Sequence, residues 1–184
     1  MSGKPKLYLF VGYPGAGKTT AARILEAATG ASHLWADHMR WEMFKQPNHS
    51  SEESQALYKN LNDQTAQLLR SGTSVIFDTN FNHRADRDYL REIATENGAE
   101  TVLIWLNTPL DVAHDRAVHS DTTRNGYTVN MTHDMFENIV CKLEEPGKDE
   151  NPIKFDGTKL DVAALKAQFK SDDTPNETPK APAQ

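Results

Sequence analysis

Leu7-Tyr8-Leu9-Phe10-Val11-Gly12-Tyr13-Pro14-Gly15-Ala16-Gly17-Lys18-Thr19-Thr20 is the stretch on which the fold turns. An apolar run breaks at glycines and resumes as a segment of helical character. Gly12, Gly17, Lys18 and Thr19 satisfy the pattern G-x-x-x-x-G-K-[ST]. A buried strand would feed a loop whose backbone N–H groups curl around phosphate oxygens, with the positive end of the next helix aimed at them. Glycine lets such a loop take φ values that a Cβ resists and lets the backbone approach an anion closely. Gly12 through Thr20, including Tyr13, Pro14, Gly15 and Ala16, is therefore expected to bind the phosphates of ATP. Lys18 would reach the β- and γ-phosphates and the Thr19 hydroxyl would hold Mg²⁺. The plainer alternative is a Gly/Pro turn between strand and helix.

Bulk properties bound the rest. The chain has 184 residues, 25% charged and 38% apolar, an ordinary globular mix of single-domain size. The formal net charge of −6 argues against broad attraction to long nucleic acid or an anionic membrane. A single cysteine, Cys141, permits no intramolecular disulfide, which points to a reducing compartment. No apolar run approaches the ~20 residues of a membrane span, and Lys4 and Lys6 lead straight into a strand rather than into a signal peptide. The expectation is a cytoplasmic protein.

Outward from the loop, apolar strands alternate with helical segments. Thr20–Ala28 reads as a helix stopped by Gly30, and 32–36 as a short strand ending before Asp37. A brief helix follows over His38–Phe44, then a long polar one over Ser51–Arg70 with Leu57, Leu61, Thr65, Leu68 and Leu69 inward. Further strands are expected at 73–77, 99–106 and 153–155. Helices are expected at 83–96 (capped by Asn82, with Tyr89, Leu90 and Ile93 inward), after Thr108 with Pro109 at its first position, at 133–144 and at 159–169. Strands apolar on both faces and alternating with helices imply a parallel sheet wrapped by helices, an α/β fold. Residues 1–170 would form the domain, the polar stretch 120–130 a loop in a lid of about 117–131, and 171–184 a disordered tail.

In an open parallel sheet the ligand lies beyond the carboxyl ends of the strands, so the residues just after each strand matter most. Asp37 is the candidate general base for a substrate hydroxyl; as a preferred cap, it could instead serve the following helix. Arg40, one turn along, could hold a charged substrate group or fix Asp37. Asp78, ending an apolar strand, could bind Mg²⁺ directly or through water, or close an Asx-turn. Asn80, Asn82, His83 and Arg84 are candidates for an acceptor pocket. Arg116 and Arg124 are placed to cover the phosphates and stabilise the charge that develops in phosphoryl transfer. His114, His119 and His133 show no metal-site spacing, and Trp35, Trp41 and Trp105 read as core or pocket wall.

Taken together, Gly12–Thr20, Asp37-His38-Met39-Arg40 and Asp78-Thr79-Asn80-Phe81-Asn82 resemble the polynucleotide-kinase branch of P-loop kinases, which includes zeta-toxin-like and chloramphenicol-phosphotransferase-like enzymes. The resemblance implies a five-stranded parallel sheet in the nucleoside-monophosphate-kinase arrangement with an arginine-bearing lid. By position it implies Asp37 as the base activating the acceptor hydroxyl, Arg40 as a contact to a substrate phosphate, and Asp78 as the strand-end aspartate. Where relatives carry closely spaced lid arginines, this chain offers Arg116 and Arg124. The expected activity is ATP- and Mg²⁺-dependent phosphoryl transfer to a hydroxyl on a small anionic metabolite, a nucleotide or a short 5′-hydroxyl oligonucleotide. The competing readings are a polynucleotide 5′-hydroxyl kinase proper and a nucleotide-binding switch or ATP hydrolase with no acceptor.

Overall fold

The computed structural model describes residues 3–119 and 131–169. Five strands, β1 (Lys6–Val11), β2 (Ser32–Trp35), β3 (Val75–Asp78), β4 (Glu100–Asn107) and β5 (Ile153–Asp156), form one sheet in the order β2-β3-β1-β4-β5. Every pairing is parallel. Seven helices are described: α1 (Lys18–Thr29), α2 (Ala36–Met43), α3 (Ser51–Arg70), α4 (Arg84–Glu96), α5 (Leu110–Val118), α6 (His133–Val140) and α7 (Val162–Phe169). The expected α/β architecture, a five-stranded parallel sheet flanked by helices, is the observed one.

Strand alternation divides the core. In β1, Leu7, Leu9 and Val11 join Leu57, Leu61 and Leu69 of α3 and Leu90 and Ile93 of α4 in one cluster. Tyr8 and Phe10 point the other way and join Ala21, Ala22 and Leu25 of α1 with Leu165 and Phe169 of α7. β1 is buried on both faces because helices cover both, which is why it reads as an unbroken apolar run. Its central place brings the loop that follows it to the middle of the sheet's carboxyl edge.

Several boundaries differ from the expected ones. α2 begins at Ala36 with Trp35 as its N-cap, so Asp37 stands inside the first helical turn rather than ahead of it. His83, not Asn82, caps α4; the Asn82 carbonyl instead accepts from the Glu144 N–H at 2.7 Å. Pro109 is the N-cap of α5 rather than its first residue, and α6 stops at Val140. Tyr89, expected inward, is 53% exposed, and Trp41 is 41% exposed. Amphipathic spacing alone does not separate a stripe's centre from its margin. Residues 171–184 and most of the expected lid lie outside the described residues.

Two contacts hold the carboxyl edge in shape. The Thr108 hydroxyl, at the end of β4, donates to the Ala16 carbonyl at 3.1 Å. A Cβ at Gly157, just past β5, would stand 1.9 Å from that hydroxyl and 2.5 Å from the same carbonyl, so the backbone there is wedged against the underside of the loop. Further out, the buried Arg87 of α4 donates to Glu150 at 2.7 and 2.8 Å and to the Glu144 carbonyl at 3.0 Å. Arg91 adds a third bond to Glu150. This network fastens the turn Lys148–Glu150, which leads into β5, to α4.

Candidate active site

Between β1 and α1 the backbone turns through Gly12, Gly15 and Gly17, all at positive φ. At Gly15 the requirement is absolute: φ is +80°, and a Cβ would lie 2.2 Å from the Ala113 carbonyl oxygen of α5. The loop closes with Ala16 N–H donating to the Tyr13 carbonyl at 3.0 Å. α1 then starts with no side-chain cap and no acidic residue in its first turn, leaving its positive end for an anion. Thr19 and Thr20 lie in that first turn, half-buried and exposed respectively.

Lys18 is buried, and its ammonium donates to the carbonyls of Gly12 at 2.8 Å and Tyr13 at 2.9 Å. Burial lowers its pKa to about 8, against the attraction of Asp78 and Asp37, which raise it. Loss of solvation first, and the charge of Asp78 second, raise the Asp37 carboxyl above its usual value; Arg40, His49 and Lys18 pull it down. The same three charges thus act on one another across the rim, although they are 19 and 41 positions apart in the chain. A carboxylate held above its usual pKa is a better proton acceptor, and its exposed side chain leaves it open to a substrate hydroxyl.

Asp78, the last residue of β3, is 3% exposed. Its Oδ2 lies 3.2 Å from Nε2 of His33 on the neighbouring strand, and the other ring nitrogen of His33 lies 3.2 Å from Oε2 of Glu26 on α1. Sequence reading passed His33 by as a strand residue. The available signal was a histidine alternating with Trp35 on one face of a strand whose neighbour ends in an aspartate.

Arg40 is buried beneath the rim. One guanidinium nitrogen donates to Glu53 and another to the Ser54 hydroxyl at 3.3 Å. Glu53 also accepts from the N–H groups of Asn48 and His49, so this pair ties α2, the intervening loop and the start of α3 together. The cleft beside it is lined by Met43, Phe44, Lys45, Asn48, Ser50 and Glu52 among others. The Tyr58 hydroxyl of α3 meets the Thr79 hydroxyl at 2.9 Å, which answers where that long helix stands: over the end of β3.

The remaining candidates are less concentrated. Asn80 is exposed after β3. Arg84, at the start of α4, pairs with Asp88 and Asp149, on the side of the Arg87–Glu150 network. Arg116 donates to the carbonyls of Gly157 at 2.7 Å and Thr158 at 3.4 Å, bracing the turn after β5. Arg124 lies outside the described residues. His114 and His133, far apart in sequence, meet at 2.9 Å. Among the described residues no group of three or more His, Cys, Asp or Glu is arranged to hold a metal ion, and no helix is long and apolar enough to cross a membrane.

Solved structures share this architecture. A sugar kinase from Janibacter sp. aligns with a TM-score of 0.66 at 21% identity, over 92% of this chain and 94% of that one. The APS kinase of Mycobacterium tuberculosis, solved with AMPPNP and APS, aligns at 0.62 and 14% identity over 90% and 95%. A chain of the Pnkp1/Rnl/Hen1 RNA repair complex aligns at 0.65 and 21%, over 82% of this chain but only 46% of that one. At such identities the likeness establishes the fold alone. No curated protein matches the chain in sequence. A family model described as an AAA domain matches residues 7–133, a span that runs from β1 into α6 and takes in the phosphate loop, Asp37 and Asp78. With well over half its length inside that match, the chain belongs to the AAA-domain family.

Proposed function

We propose that this protein is an ATP-dependent phosphotransferase that moves the γ-phosphate to a hydroxyl acceptor. The observation that carries the reading is the register that sets Trp35, two residues before Asp37, opposite Asp78, with both carboxylates acting on the buried Lys18. A bare nucleotide-binding switch has no need of a carboxylate of raised pKa whose charge acts on the loop lysine.

The loop amides of Gly12–Thr20 and the Lys18 ammonium bind the phosphates, and the α1 terminus favours their charge. Asp37 takes the proton of the acceptor hydroxyl as its oxygen attacks the γ-phosphorus. The new O–P bond forms while the bond to the β-phosphate bridging oxygen breaks, and ADP leaves. The Thr19 hydroxyl, next to Lys18 in the chain, and the Asp78 carboxylate, whose charge acts on Lys18, are hard oxygen donors of the kind that would hold Mg²⁺. A cation held by these residues would neutralise charge on the phosphates. Arg40 belongs to the acceptor side, held by Glu53, with Asn80 and Arg84 further along the same edge; Arg116 and Arg124 are the candidate cations for the transition state.

A small acceptor or a short 5′-hydroxyl oligonucleotide is favoured over long nucleic acid by the net charge of −6. The aligned chain from an RNA repair complex keeps the oligonucleotide in the set to be tried. The test is γ-phosphate transfer from labelled ATP to a panel of sugars, polyols, nucleosides and 5′-hydroxyl oligonucleotides. Acceptor-dependent transfer is expected, with Asp37→Ala losing at least about 100-fold while binding ADP nearly as well as the parent. ATP turnover that ignores every acceptor and survives Asp37→Ala would establish the hydrolase reading instead.

A further inference from the structure

His33 has a place in the site that none of the motifs assigns. Its ring is buried, and both ring nitrogens face carboxylate oxygens at 3.2 Å, Asp78 Oδ2 inward and Glu26 Oε2 outward. An ionised carboxylate only accepts hydrogen bonds. The ring therefore meets Asp78 through an N–H at Nε2. The ring cannot easily turn away. It stacks on Trp35 at 6.3 Å and 21°, and Trp35 is itself flanked by His38 at 5.7 Å and by the Arg23 guanidinium at 5.2 Å.

Sheet register explains the contact. Trp35 stands opposite Asp78, and His33 opposite Ile76, so His33 and Asp78 are diagonal neighbours on the same face, within reach of a long side chain. That face is the one α1 covers, and α1 supplies both Glu26 at its far end and Lys18 and Thr19 at its start. A line of hydrogen bonds thus runs from the surface of α1, through β2, to the end of β3.

The geometry points to His33 as a positioning residue for the reaction: it holds Oδ2 of Asp78 and so aims the other carboxylate oxygen at the metal beside the phosphates. This rests on the assignment of Asp78 to Mg²⁺ made above. With Oδ2 held, the carboxyl group cannot rotate about its Cβ–Cγ bond without breaking the contact, and Oδ1 has one direction. Groups that orient a metal's ligands typically change metal affinity or activity 10- to 100-fold when removed.

The test compares His33→Leu, which fills the space without a donor, with His33→Gln, whose amide can still donate to Asp78. ADP is titrated calorimetrically with and without Mg²⁺, and melting temperature is followed alongside. For the parent, Mg²⁺ should tighten ADP binding. His33→Leu should lose about tenfold or more of that Mg²⁺-dependent gain, with metal-free ADP affinity unchanged, and His33→Gln should recover most of it. A His33→Leu protein that folds and keeps the full Mg²⁺ gain overturns the inference, as does His33→Gln behaving like His33→Leu in a folded protein. Failure of the parent itself to bind ADP would instead sink the nucleotide reading, so the two failures are separable.

Discussion

Lys18→Met should make the nucleotide-free protein more stable while removing its function. Burial brings the Lys18 pKa to about 8 from 10.5. That gap corresponds to about 3 kcal/mol of stability withheld by the charged lysine at neutral pH. Methionine keeps the apolar stem and carries no charge. It also leaves the Gly12 and Tyr13 carbonyls without their donor, at about 1 kcal/mol each. The expected net effect is a gain of about 1 kcal/mol by urea denaturation at pH 7 in nucleotide-free buffer. The sign with pH follows from proton binding. Between pH 8 and 10.5 the unfolded chain holds the lysine proton that the folded chain has released, so parental stability rises with pH there. By pH 9.5 the parent should have gained about 2 kcal/mol from this residue, enough to reverse the order of the two proteins. Adding MgADP at 100 times its Kd should stabilise the parent by about 2.7 kcal/mol and the variant hardly at all. A Lys18→Met protein at least 1 kcal/mol less stable than the parent at pH 7, or a difference that stays constant from pH 7 to 9.5, would refute the reasoning.

Glu150→Gln tests the network behind β5. Its partners hold Glu150 down to about 2 from 4.5, which makes the ionised form worth about 3 kcal/mol at pH 7. Because the folded pKa is the lower one, that stability is fully present above pH 4.5 and is lost as pH falls toward 2; urea melts at pH 7 and 3.5 should show the difference between Gln and parent shrinking to about 2 kcal/mol. Gly15→Ala forces a methyl to 2.2 Å from the Ala113 carbonyl at a positive φ and should cost about 2 kcal/mol or more, with ADP affinity falling at least about tenfold on the same scale; unchanged calorimetric binding would count against the loop geometry. The raised Asp37 carboxyl should appear as an acid limb of kcat/KM whose midpoint lies above the ordinary 3.8, since only the ionised form accepts the proton. A profile flat down to pH 4 would remove Asp37 as base.

Much of this was legible because local rules carry it. The phosphate loop is contiguous, and its glycines, lysine and threonine act within one turn of backbone; strand and helix order followed from apolar runs and periodicity. Asp37 and Asp78 drew attention because parallel sheets put their ligands at one edge; Asp78 does end β3, whereas Asp37 stands in the first turn of α2. Boundaries slipped by one to four residues, as at Asp37, where the helix starts earlier than its cap signal suggests.

Pairings across the fold were another matter. Nothing in the chain near Arg40 announces that its guanidinium would be held by Glu53, nor that Arg116 would reach back to Gly157. The same holds for His33: a histidine in a short strand carries no information about which aspartate it will meet until the β2–β3 register is set. Spacing among His114, His119 and His133 gave no hint that the first and last would touch. Sequence determined the loop between β1 and α1, because such a loop is local backbone geometry. Tertiary structure decided which side chains hold one another around it, because those contacts depend on strand order and register, and the direction of the site's carboxylates depends on them in turn.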